Sequence, residues 1–191
     1  MSTMSTSRSD EAKLPCQMGE IFGSQPPFIK VLQAMRELRL PDCWLAAGAV
    51  RNTVWKQLFG EECALGINDF DVVFFDAGTG RETEVNAREV LNKEFPDLVF
   101  DVKNQASFGN WRPWRYQFTS ATDGIAHFLH TATAVAIRLG DAGEIECNAP
   151  YGLADLFDGV LRVTPFWSGH QDAEAKSAGF MSKCSLLRKV D

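Results

Sequence analysis

Apolar residues first recur at helical spacing after Pro26-Pro27. Phe28, Val31, Leu32, Met35 and Leu38, with Ile29 beside them, predict a helix opened by the proline pair. Cys43 to Ala46 is a short apolar run between Pro41-Asp42 and Gly48, which suits a buried strand. Val50, Val54 and Leu58 then share one face of a helix over Ala49 to Phe59, stopped at Gly60. Phe70 to Phe75 is almost wholly apolar around Asp71 and predicts a strand. A charged amphipathic helix follows from Glu82 to Phe95, ended by Pro96, and then a strand from Leu98 to Val102.

Ser107 to Gln117 shows no period and reads as a loop or short irregular element. Ser120 and Asp123 form an N-cap pair for a helix through His130. Ala132 to Leu139 and Glu144 to Asn148 flank Gly140-Asp141-Ala142-Gly143, the pattern of a hairpin. A short helix over Gly152 to Phe157 and a strand over Val160 to Val163 complete the body. The Ser/Thr-rich residues 1–18 read as a disordered lead-in, 19–166 as one domain, and 167–191 as a polar tail with a helix near Ala173 to Met181. Helices packed against a central mixed sheet make the class α+β.

Composition narrows the chemistry. At 191 residues, 45% of them hydrophobic, and with a mean hydropathy of -0.15, the chain can bury a core. A net charge of -6 argues against binding bulk nucleic acid, which needs a broad basic face. Cys16, Cys43, Cys63, Cys147 and Cys184 are odd in number and without Cys-x-x-Cys spacing, so they read as reduced thiols. His127, His130 and His170 are too few for a structural zinc site. No run approaches the roughly 18 apolar residues of a membrane span, and the N-terminus lacks the apolar core of a secretory signal. The expected location is the cytoplasm.

Two features carry chemistry. In Asn68-Asp69-Phe70-Asp71-Val72, strand alternation sends both aspartates to one side and Phe70 and Val72 to the other. Paired carboxylates on an apolar strand repel one another, and Mg²⁺, which takes one or two carboxylates plus phosphate oxygens and water, removes the conflict. Asp-x-Asp by itself is common and reads first as a strand end with two solvated acids. The second feature is Leu45-Ala46-Ala47-Gly48-Ala49-Val50-Arg51-Asn52, a small-residue turn between strand and helix. There backbone N–H groups can approach a phosphate and Arg51 adds positive charge. Gly48, Ala49, Arg51 and Asn52 are therefore candidate nucleotide contacts. Lys103, Asn104 and Gln105, after a strand, could contact phosphate and a base edge, or else brace their own loop. Arg112, Trp114, Arg115 and Tyr116 offer planes for stacking a base; Trp111 and Trp114 are read as a lid on the core.

This order of strand, Gly-Ala-Val-Arg-Asn turn, helix and Asp-x-Asp strand resembles the catalytic head of CCA-adding enzymes and poly(A) polymerases, in the DNA polymerase β superfamily. It is more closely similar to a family of small nucleotidyltransferase-like proteins. That likeness runs through Asn68 to Val72, Val102 to Ala106, Thr131 to Val135 and Ala149 to Phe157. The resemblance implies a nucleotidyltransferase fold and transfer of a nucleoside monophosphate from an NTP, ATP among the candidates, with pyrophosphate released. It implies a two-metal Mg²⁺ site, with Mn²⁺ able to substitute, on Asp69 and Asp71. A third carboxylate from a nearby strand is expected, with Glu146 as the candidate and Glu144, of the same parity, as its competitor.

Ala47 stands where CCA-adding enzymes usually carry a glycine. The Gly60 to Asn68 segment is longer than theirs, and Ser107-Phe108 replaces the Arg-Met usual in the smaller family. The expected partners are an NTP and an unidentified acceptor, small molecule or specific macromolecule, without a membrane. A catalytically silent nucleotide-binding module and a metal-dependent phosphate-ester hydrolase are the rival readings.

Overall fold

The computed structural model describes residues 11–63, 65–108 and 116–190. Two helices open it, α1 (Leu14–Gly23) and α2 (Pro26–Glu37). Strand β1 (Trp44–Ala46) passes directly into α3 (Ala47–Phe59), and β2 (Phe70–Phe74) follows after a 3₁₀ turn. Then come α4 (Arg81–Glu94), β3 (Phe100–Asn104), α5 (Ala121–Ala126), and the hairpin of β4 (Ala136–Leu139) and β5 (Ile145–Asn148). The chain ends through α6 (Ala154–Phe157), β6 (Val160–Arg162), α7 (Gln171–Met181) and β7 (Arg188–Val190). The α+β class with a mixed central sheet is as expected. Among the described residues no helix is long and apolar enough to cross a membrane.

The main sheet has the order β3-β2-β1-β4-β5. The α4 crossover makes β2 and β3 parallel, and the other neighbours are antiparallel. One face of the sheet presents Leu45, Val72, Phe74, Val102 and Ile137 to the helices. Phe28 of α2 meets Phe70 there at a ring separation of 5.7 Å, and Phe70 meets Phe100 at 5.4 Å. Trp55 of α3 is fully buried and donates its indole N–H to the Leu156 carbonyl at 2.8 Å. The opposite face has a smaller apolar cluster of Trp44, Ala46, Val73 and Ala136 under Ala121 and Ile125 of α5. It is left partly uncovered, so polar side chains on this face can meet solvent or a ligand.

Several expectations change. Helix α1 starts within the supposed disordered lead-in because Leu14, Met18 and Phe22 make a buried stripe at helical spacing. The helix at Ser120 ends at Ala126, not His130, and β4 begins at Ala136, not Ala132. Between them, Thr131 donates its N–H to Arg162 O, and Thr133 and Ala134 donate theirs to His130 O, so the backbone is held in turns. Residues from 167 on are no simple tail. Ala173, Phe180, Cys184 and Leu187 are buried, and β7 pairs in parallel with β6. The irregular stretch with Trp111, Arg112, Trp114 and Arg115 lies outside the described residues.

The cysteines are not all the reduced thiols that their spacing predicts. Cys63 and Cys184 form a disulfide, leaving Cys16, Cys43 and Cys147 as thiols. The pairing is invisible in the spacing because 121 positions separate the partners; the return of the chain after α7 brings them together. Thiol titration of the unreduced, denatured protein should therefore count three thiols. Cys184→Ser should cost about 2–5 kcal/mol in urea unfolding.

Candidate active site

Strand β2 separates its residues as its alternation requires. Phe70, Val72 and Phe74 enter the core, while Asp71 points to the partly open face. Asp69, two residues earlier, is exposed, and Asp71 is half-buried. Both line one polar cavity of about 640 Å³, together with Gly48, Arg51, Asn52 and Asn68. Of these, Asp69, Asp71, Gly48, Arg51 and Asn52 are the residues the sequence pattern points to, and the fold brings them together.

The corner between β1 and α3 is tight. Ala47 adopts a φ of 53°, and its N–H is bound by Val135 O at 3.1 Å. A non-glycine residue in this left-handed region is strained by about 1–3 kcal/mol and persists because its surroundings over-determine it. The next residue, Gly48, faces open space: a Cβ there would meet nothing within 4 Å. A phosphate oxygen could therefore approach the N-terminus of α3 closely.

Arg51 is buried, and its two flanking hydrogen bonds fix it in place. Its Nε donates to Asn52 Oδ1 at 3.0 Å and its Nη1 donates to Thr133 Oγ1 at 2.7 Å. Its guanidinium lies 4.2 Å from the centre of the Phe180 ring. Burial lowers its pKa to about 10, against the opposing pull of Asp71 and Asp69. Asn52 in turn donates to Gly66 O at 2.8 Å and so holds the segment that leads into Asp69. Ala49 is fully buried in the core and does not face the cavity.

The carboxylates are in conflict. Burial, then Asp69, then Asp101 push the Asp71 pKa up to about 6, while the Gly48 N–H and Arg51 work the other way. Asp101 is the residue that sequence reasoning missed. In the parallel register it stands beside Asp71, and both line a second cavity of about 320 Å³. A signal was available: Phe-Asp-Val occurs at Phe70 to Val72 and again at Phe100 to Val102. Asp101 is ion-paired with Lys103 at 2.8 Å.

Glu146, expected as the third carboxylate, does not join Asp69 and Asp71. It sits on the far strand β5, paired with Arg138 at 2.6 Å, and lines a separate cavity of about 270 Å³. Three strand intervals lie between β5 and β2. Glu144 sits beside Gly140 in the hairpin. Lys103 and Gln105 line the second cavity. Asn104 instead braces its own loop: its Nδ2 donates to Asp76 O at 2.7 Å, and its Oδ1 accepts from Asp76 N at 3.0 Å and Ala106 N at 3.1 Å. Lys176, Phe180 and Lys183, from the supposed tail, wall the polar cavity.

Among the described residues no three His, Cys, Asp or Glu side chains already form a metal-binding group. The Asp69–Asp71 pair still fits Mg²⁺. That ion commonly binds through one or two carboxylates and completes its shell with substrate phosphates and water. The mutual repulsion at Asp71 is what a cation would relieve.

A sequence family described as nucleotidyltransferase matches residues 33–188. A comparison with curated protein sequences finds no match. An NMR structure described as revealing a CCA-adding enzyme head domain is similar, with a TM-score of 0.75, 27% identity and 98% of both chains covered. A CCA-adding enzyme in complex with CTP has a TM-score of 0.62 at 14% identity, with 91% of this chain and 43% of that one covered. The Thermotoga maritima CCA-adding enzyme complexed with tRNA has a TM-score of 0.60 at 13% identity, with 93% and 42% covered. The chain thus spans less than half of these two enzymes, and at such identities they show a shared fold only.

The raised Asp71 pKa fixes a sign. The protonated form is favoured by the fold, so the associated stability is present below the unfolded value and is lost as pH rises through about 6. In metal-free buffer, Asp71→Asn should raise the unfolding free energy at pH 8 by on the order of 2–3 kcal/mol. The gain should vanish below pH 4, as urea titrations at the two pH values can check.

Proposed function

The chain belongs to this nucleotidyltransferase family, and from that premise we propose that it moves a nucleoside monophosphate from an NTP to a hydroxyl acceptor, releasing pyrophosphate. The observation that carries the reading is that Asp69 and Asp71 share one cavity with Gly48 and Arg51, so carboxylates for a cation face a seat for phosphates. Asp69 and Asp71 would hold Mg²⁺, or Mn²⁺ in its place. Such a cation supplies charge neutralisation for the triphosphate and the leaving pyrophosphate.

The chain's own residues do the rest. The α3 N-terminus at Gly48 receives phosphate oxygens, and the remaining N–H groups of Arg51 donate to them while Thr133 and Asn52 keep the guanidinium oriented. Lys176 and Lys183 add positive charge at the cavity wall. Asp101 is proposed as the third carboxylate in place of Glu146, because it flanks Asp71 on the neighbouring strand. It receives the proton of the attacking hydroxyl. CTP and tRNA, held by the CCA-adding enzymes of similar fold, make CTP a candidate donor. The acidic chain favours a small or specific acceptor over bulk nucleic acid.

One observation favours the catalytically silent reading. Asp101 is engaged by Lys103 at 2.8 Å, and no three carboxylates are yet gathered among the described residues. Turnover then requires that Lys103 release Asp101 when substrate binds.

Incubation with each of the four α-labelled NTPs, Mg²⁺ and a cell extract should transfer label and release pyrophosphate. Asp69→Asn combined with Asp71→Asn should abolish transfer, and transfer that persists would exclude this site. Asp101→Asn should slow it by on the order of 10²–10³, whereas Glu146→Gln should leave it unchanged. NTP binding without turnover would identify the silent module. Inorganic phosphate as product would identify a hydrolase.

A further inference from the structure

Two cavities of different chemistry meet along a shared wall of Ala47, Arg51, Asp71, Thr133, Lys176 and Phe180. The polar one runs past Gly48 and Asp69. The other is walled by Tyr116, Phe118, His127 and Phe166, with Asp71 and Asp101 at its polar end. Its rings are close: the His127 centroid lies 4.6 Å from Tyr116, 5.0 Å from Phe118 and 4.2 Å from Phe166. At about 320 Å³ it has the size of a small-molecule site.

Resting on the reaction proposed above, we infer that this aromatic chamber is the acceptor subsite, and that it takes a small molecule with a planar ring and a hydroxyl nucleophile. Phosphoryl transfer places the entering and leaving oxygens on opposite sides of the α-phosphorus. With the pyrophosphate portion seated in the polar cavity at Gly48, the entering oxygen comes from the side of Asp101, which is the chamber. The hydroxyl oxygen forms its bond to the α-phosphorus as the bond to the bridging oxygen breaks. The electron pair leaves with pyrophosphate, and the hydroxyl proton passes to Asp101. The ring wall favours a flat partner, which stacks or meets the ring edges.

A second, independent observation concerns His130 on the same wall. It is fully buried, and its Nδ1 is the buried side-chain polar atom without a hydrogen-bond partner among the described residues. The Ser177 hydroxyl donates to Ala173 O at 2.8 Å, so it accepts from His130 Nε2–H at 2.7 Å. Nδ1 is therefore a bare acceptor beside the chamber wall, a polar atom that the protein's own packing leaves unsatisfied.

The test measures binding of adenosine, a planar ring with hydroxyls, to the full chain by calorimetry, in parallel with binding of Mg²⁺–pyrophosphate. Adenosine should bind in the presence of saturating α,β-methylene-ATP, and myo-inositol should not bind. Phe118→Ala and Tyr116→Ala should each weaken adenosine at least tenfold and leave Mg²⁺–pyrophosphate within twofold. Displacement of adenosine by α,β-methylene-ATP would make the chamber the site of the donor's base and overturn the inference. Tighter chamber-dependent binding of decaadenylate would do the same, by making a polymer end the acceptor. Absent adenosine binding while Mg²⁺–pyrophosphate still binds would sink this inference and spare the polar cavity's role.

Discussion

Asp71 stands between two requirements that the fold does not reconcile by itself. Its strand is anchored by Phe70, Val72 and Phe74 in the core, so its position is set by packing. That position is half-buried and close to Asp69 and Asp101, so the charged form is resisted first by burial and then by its neighbours. Arg51 opposes this but is itself buried and held by Thr133 and Asn52. The site is rigid and electrostatically unfinished, a condition that a cation and a phosphate chain would complete together.

The same packing explains the corner at Ala47. Strand β1 must turn straight into α3 for Gly48 and Arg51 to face Asp71, and the cost is a left-handed alanine. The strained residue lines the polar cavity, and stored backbone strain commonly coincides with function. The C-terminal segment is equally part of the site. Phe180 stacks on Arg51, Ser177 orients His130, and the Cys63–Cys184 bond ties this segment to the loop that precedes Asp69.

The sequence by itself determined most secondary elements of the body, the parity of β2, and the presence of a small-residue corner beside an Asp-x-Asp strand. These depend on residues near one another in the chain, where periods of two and 3.6 state which side chains share a face. Three things only the tertiary structure decided. Asp101, not Glu146, neighbours Asp71, because parity along a strand does not reveal the order of strands in a sheet. The supposed tail became a wall of the site because its few apolar residues, Phe180 and Leu187 among them, have a core to enter only once the sheet exists. The aromatic chamber gathers rings from separate segments, and no local pattern records a meeting that long-range packing creates.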